Sequence, residues 1–219
     1  MPNSQPTGLQ ALERLRAGNA RFVQGVLSLD SLLSHARPSR EQQARAQWPF
    51  AVVLGCSDSR APAEFIFDQG LGDLFVIRVA GNIAAPSQIG SIEFAVARFG
   101  VPLVVVMGHS NCGAVQATLE HLSSPSATTP GLRSIVDRIR PALADLVDSC
   151  IHDDPEALMH AAVRTNVRAT VNQLAHSSAL LESLSLSGQL LIVGAEYSLD
   201  SGAVDFFEGV PADAGTPIA

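Results

Sequence analysis

Four short runs of apolar residues punctuate the chain, and three of them stop at or beside a glycine. Residues 50–55 end in Leu54-Gly55, residues 74–79 run into the Gly81 corner, and residues 103–107 run into Gly108. The fourth covers residues 189–195. Runs this short, rich in β-branched residues and bounded by turn formers, predict strands buried on both faces. Glycine at such a corner has no Cβ, so the chain can turn sharply or approach a neighbour closely. A fifth stretch, residues 203–207, follows the turn Asp200-Ser-Gly202 and predicts an edge strand.

Helical spacing fills the intervals. Leu12, Leu15, Phe22 and Val23 fall on one side of residues 9–24, opposite Glu13, Arg14, Arg16 and Arg21. Residues 88–99 turn Ile89, Ile92 and Val96 inward, and residues 113–122 form the next helix. Residues 132–147 are helical, with Pro141 predicting a kink or a break. Asp154-Pro155 reads as a helix start, a side-chain acceptor followed by proline in the first turn, and the helix extends to about residue 184. Residues 25–47 predict loop with a short exposed helix, and residues 211–219 a loose tail. Strands alternating with helices imply an α/β fold with a mostly parallel sheet covered on both faces. No tandem repeat or boundary divides the chain, so one domain is expected: a helical arm and loop at 8–47, a core at 48–197, and an edge strand and tail at 198–219.

Composition narrows the chemistry. The 219 residues carry a formal net charge of −7, and every fixed cation is an arginine. Without lysine there is neither a Schiff-base nucleophile nor a Walker A lysine. Without a basic cluster, nucleic acid and anionic membranes are not expected partners. No apolar run approaches the roughly 20 residues that span a bilayer. Three cysteines in a chain of this length do not make a disulfide framework, so a reducing, cytoplasmic setting is expected. Cys150 is expected to be an ordinary, partly buried thiol.

The other two cysteines stand at strand ends. Ala51-Val-Val-Leu-Gly-Cys-Ser-Asp-Ser-Arg60 and Leu103-Val-Val-Val-Met-Gly-His-Ser-Asn-Cys-Gly113 nearly repeat one another: a buried strand, a glycine, a metal-capable side chain, a serine. A lone cysteine at a strand end is usually a small buried hydrophobe, and His-x-x-Cys alone is common. The pairing of the two segments carries the reading. Cys56, His109 and Cys112 are predicted to meet at the ends of two adjacent strands and hold one zinc ion. Two thiolates and an imidazole leave a position open, which is a known catalytic set. Zinc there lowers the pKa of its water toward neutrality. Asp58 and Arg60, two apart on an extended segment, face the same way and predict a bidentate pair. Asp58 would then accept a hydrogen bond from the water, while Arg60 keeps it ionised. Gly55-Cys-Ser-Asp-Ser59 also approaches a nucleophile elbow, and Cys56 with His109 could form a thiol–base pair; the second cysteine favours metal.

These residues resemble the β-class carbonic anhydrases. The matching motifs are Cys56-Ser-Asp-Ser-Arg60 and His109-Ser-Asn-Cys112 with Gly113. The resemblance extends to Leu12 and Gly18-Asn-Ala-Arg-Phe22, Phe75-Val-Ile-Arg78, Ala80-Gly-Asn82, Ser91-Ile-Glu-Phe-Ala95, and Gly194 with Tyr197. It implies a four-stranded parallel sheet with an added antiparallel edge strand, helices on both faces and an N-terminal helical arm wrapped over a neighbouring subunit. It implies one Zn2+ per subunit, reversible hydration of CO2 to bicarbonate and a proton, and a homodimer or homotetramer. By position, Cys56, His109 and Cys112 would bind zinc, and Asp58 with Arg60 would form the catalytic dyad. Gln47 and Phe75 would line the substrate cleft across the subunit interface, and Gly113 would offer a backbone N–H. Phe75, Ala80 and Phe94 are candidates for the apolar wall around CO2.

Two positions depart from the family pattern. Phe94 stands where a tyrosine is frequent, and Val53 stands where some bacterial relatives place a tryptophan that helps hold an inhibitory bicarbonate. With Arg78 and Tyr197 present but no tryptophan, that inhibitory site is expected to be absent or weak. Asp58 is accordingly expected to stay off the zinc near neutral pH. No proton shuttle is legible among His35, His121, His152, His160 and His176. Two other functions fit the same zinc ligands: hydrolysis of carbonyl sulfide or carbon disulfide, and a non-catalytic zinc staple in an oligomer.

Overall fold

A computed structural model describes residues 5–26, 44–124, 128–147 and 154–212. His35, Cys150 and His152, most of the predicted 25–47 segment and most of the 211–219 tail lie outside the described residues.

Five strands form one sheet in the order β2-β1-β3-β4-β5. They are β1 (Ala51–Gly55), β2 (Leu74–Arg78), β3 (Leu103–His109), β4 (Leu191–Tyr197) and β5 (Val204–Glu208). The first four are parallel, and β5 pairs antiparallel with β4. This is the expected architecture. The chain leaves β1 toward one edge and β3 toward the other, so the connections diverge between these two central strands. A crevice at the C-terminal ends of strands opens at such a point.

Alternation of side chains explains why both faces are covered. Val53, Val105 and Val193 belong to one apolar cluster with Leu12 and Leu15 of α1 (Gly8–Val23) and Ile66 of α2 (Ala63–Ile66). Val52, Leu54, Val104, Val106 and Ile192 belong to the other. That second cluster takes Ile92 of α3 (Pro86–Phe99), Val167 of α6 (Pro155–His176) and Leu181 of α7 (Ala179–Leu186). A third cluster brings Cys56 and Cys112 together with Val115 of α4 (Gly113–Ser123), Ile139 and Leu143 of α5 (Pro130–Val147), and Val163.

The N-terminal helix lies on the sheet of its own chain. Thr7 caps it through a reciprocal pair with Gln10. A Cβ on Gly18 would lie 1.8 Å from the Phe67 carbonyl oxygen, so only glycine permits this approach. Asn19 then donates to the carbonyls of Ile66 and Gly202 and accepts from the Val204 N–H.

Local differences from the sequence reading have local causes. The predicted helix from Asp154 to about residue 184 is two helices. It ends at His176, and Ser178 starts α7 by accepting the Leu181 N–H while donating to Glu93. Of the two outcomes expected at Pro141, the break does not occur: helix α5 continues through it. Strand β4 starts two residues later than predicted because Gln189 and Leu190 still bond back to Leu184. Strand β3 continues to His109, which makes this candidate ligand the last residue of its strand.

Candidate metal centre

The two glycine-ended segments meet as their near-repetition predicts. Strands β1 and β3 are neighbours, with Gly55 opposite Met107. Cys56 follows the first, and His109 ends the second. Ser110 and Asn111 form the turn that follows, Asn111 in the left-handed region (φ 55°) that this residue type tolerates. Cys112 is then the N-cap of α4. The turn is pinned to β4: the Ser110 N–H donates to Tyr197, and the Ser110 hydroxyl accepts from Leu199.

The donor atoms of Cys56, His109 and Cys112 all lie within 4.8 Å of one another, and all three residues are buried. The two sulfurs are 4.0 Å apart. Sulfurs bound to one tetrahedral zinc at about 2.3 Å each would stand roughly 3.8 Å apart, so the pair is spaced for a shared ion. His109 supplies the second test of fit. Its Nδ1 lies 2.9 Å from the Ser110 carbonyl oxygen, which can only accept, so Nδ1 carries the proton. Nε2 is therefore the atom with a lone pair, and it is buried without a hydrogen-bond partner. A metal ligand oriented through its other ring nitrogen has this arrangement.

Asp58 and Arg60 form the predicted pair. Arg60 Nε and its backbone N–H both donate to Asp58 Oδ1 at 2.9 Å, and Nη2 donates to Oδ2 at 2.8 Å. Asp58 Oδ2 is 3.9 Å from His109 Nε2. Both carboxylate oxygens are thus engaged by Arg60 at the margin of the cluster. Arg60's hydrogen bonds hold the Asp58 carboxyl well below the usual carboxylate range.

The thiols shift in opposite directions while they share a proton. The Cys112 S–H draws Cys56 down to about 4, and hydrogen bonds from the backbone of Gly81 and Asp58 assist. Cys112 is pushed up, first by holding its proton against Cys56 and then by burial, although the N–H groups of Ala114 and Val115 at the helix start pull the other way. Burial opposes a proton on His109, but the Cys56 sulfur beside it outweighs that and the net shift is upward. A dication reverses this logic, since it favours both thiolates and a neutral imidazole.

A tight turn closes the base of the site. Gly81 (φ 69°) sits in the 3-10 turn Ala80–Asn82, and its N–H points at Cys56 Sγ at 3.4 Å. Its carbonyl accepts from Asn166 of α6 at 2.9 Å. A Cβ there would meet Ile139 Cδ1 at 2.6 Å. Neither the Gly81 N–H nor the distant Asn166 was identified from the sequence; the first had a signal in the Ala80-Gly-Asn82 corner, the second had none.

The remaining expected site residues divide. Gly113 is the exposed first residue of α4, next to Cys112, and Ala80 is half-buried in the closing turn. Phe75 and Phe94 are not at the cluster. Phe75 pairs in register with Val52, so it is level with the start of β1; its ring lies 6.3 Å from that of Phe94 and 6.2 Å from that of Phe99, which stand 5.7 Å apart. Gln47 precedes β1 and shares a shallow surface depression with Leu71 and Gly72, at the opposite end of the strand from Cys56. Among the other histidines, His160 on α6 meets the buried Glu196 at 3.2 Å. Val53 is fully buried in β1, and Tyr197 is buried beside Phe22.

Residues 51–204 match the family profile described as Carbonic anhydrase. The chain is 42% identical to the carbonic anhydrase of Mycolicibacterium smegmatis over 207 residues, covering 94% of this chain and 95% of that protein. Among solved structures it is similar to that of the β-carbonic anhydrase CcaA, with a TM-score of 0.71 and 27% identity over 93% of this chain and 94% of that one. The fold is also shared with the tetrameric β-carbonic anhydrases of the ascomycete Sordaria macrospora, at a TM-score of 0.68 and 24% identity over 80% and 89% of the two chains.

Proposed function

Since the chain belongs to the carbonic anhydrase family, in its β class, we propose that it catalyses the reversible hydration of CO2 to bicarbonate and a proton, using one zinc ion per subunit held by Cys56, His109 and Cys112. The observation that carries this reading is the meeting of two sulfurs and an unpartnered imidazole nitrogen within 4.8 Å, beside an ion pair that keeps its carboxylate out of the cluster. When bound, zinc would supply a Lewis acid that activates a water molecule for attack on the carbon of CO2.

The chain's own residues do the rest. Asp58 accepts a hydrogen bond from the reacting water and orients it. Arg60 occupies both Asp58 oxygens, which fixes the rotamer and keeps the carboxylate ionised. Gly113, exposed at the start of α4, would offer its backbone N–H to charge that builds on the substrate oxygens. Ser110 holds the His109 tautomer.

Gln47, Phe75 and Phe94 can serve this reaction only from a second subunit. Gln47 precedes β1 and Phe75 is the second residue of β2, both at the opposite end of the sheet from Cys56, and Phe94 is 54% exposed. Leu71 (80%) and Phe65 (55%) are further apolar side chains left open to solvent. A homodimer or homotetramer would cover such surface and bring these residues to a neighbour's zinc, with Phe75, Ala80 and Phe94 walling the CO2 pocket. No helix among the described residues is long and apolar enough to cross a membrane, and the cysteine usage suits a cytoplasmic protein.

Stopped-flow CO2 hydration across pH, with zinc counted in the same sample, tests the proposal. Sulfide release from carbonyl sulfide and from carbon disulfide, measured in parallel, separates the hydrolase alternatives. The expected result is rapid CO2 hydration with sulfide release slower by orders of magnitude. Sulfide release without CO2 hydration would reassign the substrate. Zinc-loaded protein active toward none of the three would leave a zinc staple.

A further inference from the structure

The segment from Cys56 to Arg60 carries one metal ligand and both members of the ion pair, yet most of it is at the surface: Ser57, Ser59 and Arg60 are exposed. The Asp58–Arg60 pair is internal to this segment, so it cannot anchor the segment to the sheet. The anchors come from the end of β2 and the turn that follows. The Val79 N–H donates to the Gly55 carbonyl at 3.1 Å, and the Gly81 N–H points at Cys56 Sγ. The side chain of Arg78 does more than either. Its Nε donates to the Cys56 carbonyl at 2.9 Å, and its Nη2 donates to the Asp58 carbonyl. That second carbonyl also accepts the Ala61 N–H at 3.1 Å.

Arg78 ends its strand with its side chain exposed, and it makes no ion pair among the described residues. Its donors go to two main-chain carbonyls rather than to a carboxylate. Carbonyls two residues apart on an extended segment face the same side, and a planar fork can reach both at once. A lysine, with one point of donation, cannot hold the same pair in fixed geometry.

On the reading given under Proposed function, we propose that Arg78 is a positioning residue for CO2 hydration, clamping the main chain of Cys56–Asp58 so that the Asp58 carboxylate keeps its place beside the metal ligands. The two arginines divide the task. Arg60 sets the rotamer of Asp58, and Arg78 sets the backbone from which that rotamer is built. A fixed rotamer on a loose backbone would still misplace the carboxylate, and a misplacement of about 1 Å can cost roughly 10²-fold in rate.

The test joins kinetics to hydrogen exchange. In Arg78→Ala, kcat should fall about 10- to 100-fold with KM changed less than about threefold and zinc content unaltered. Exchange of the Arg60 and Ala61 amides, which bond to Asp58, should accelerate at least about tenfold while the β3 amides keep their protection. In the Asp58→Asn background the same change should cost less than about threefold, because the residue through which Arg78 acts is gone. Arg78→Lys, which keeps the charge and loses the fork, should resemble Arg78→Ala in both readouts. Equal losses in the two backgrounds, a change confined to KM, unchanged amide exchange, or full rescue by lysine would each overturn the assignment. The exchange arm does not depend on turnover, so an inactive wild-type protein would sink the functional reading while the clamp itself is still judged by the amides.

Discussion

The sulfurs of Cys56 and Cys112 stand 4.0 Å apart across 56 positions of sequence, and they are brought there by the parallel pairing of β1 with β3. Neither belongs to a disulfide; both are free and buried. Two buried thiols at this separation resist losing both protons unless a cation stands between them. Cys56→Ser and Cys112→Ser are each expected to strip most of the bound zinc on dialysis against a chelator, as read by metal analysis. Retention of zinc by either variant would contradict the shared site.

Asp58 gives a second prediction, with a pH sign attached. Arg60's hydrogen bonds depress the Asp58 carboxyl below its unfolded value, so the stabilisation they supply is present above an ordinary aspartate pKa near ~3.9 and is lost only as pH falls through the lower folded value. Between pH 5 and 9, roughly the range open to assay, Asp58 therefore contributes no titration to the activity profile. Asp58→Asn should lower kcat by about 10²- to 10³-fold at every pH in that range while zinc stays bound. Loss that appears only toward alkaline pH would contradict a carboxylate ionised throughout.

Gly81 carries two demands, a left-handed φ of 69° and no room for a Cβ, which would stand 2.6 Å from Ile139 Cδ1. Gly81→Ala is expected to cost about 2–4 kcal/mol and lower Tm by several degrees, with zinc affinity reduced because the N–H facing Cys56 is displaced. A variant with wild-type Tm and zinc affinity would show that the turn adapts freely.

Glu196 is buried where β4 meets α6, between His160 at 3.2 Å and Arg164 at 3.5 Å, with Asp205 sharing Arg164 at 2.7 Å. Burial raises its pKa although His160 and Arg164 pull it down, and Asp205 adds to the rise. A carboxyl raised on folding contributes stability that is fully present below an unfolded pKa of about 4.3 and is lost as pH climbs through the folded value. Glu196→Gln, which keeps the neutral shape, should therefore gain in Tm relative to wild type as pH rises from about 4 to 7. A difference between the two proteins that stays flat or falls over that interval would contradict the burial argument.

Much of this was legible in the order of residues. Three glycine-ended apolar runs and a fourth over residues 189–195 foretold the four parallel strands, although β2, at the edge of the sheet, is only half-buried; the paired Cys56 and His109 segments foretold a shared centre. Such patterns are legible because ligand spacing and strand periodicity are local. Arg78 was visible only as part of a resemblance, because its two acceptors are main-chain carbonyls and no residue type announces a carbonyl. Asn166 was not visible at all: it reaches the Gly81 carbonyl across 85 positions, from a helix whose buried stripe is otherwise largely apolar. The break at Ser178 was missed because the apolar spacing continues across it, and the stop depends on a side-chain bond to Glu93 in another helix. The separation of Gln47 and Phe75 from the cluster follows from strand direction, which a sequence does not print.

The catalytic ion proposed at Cys56, His109 and Cys112 is tested by titrating metal-stripped protein with zinc, following CO2 hydration by stopped flow and bound metal in the same samples. Activity should be absent at the start and rise in proportion to bound zinc until each chain holds one ion. Full activity in the stripped protein, or zinc binding that restores none, would contradict it.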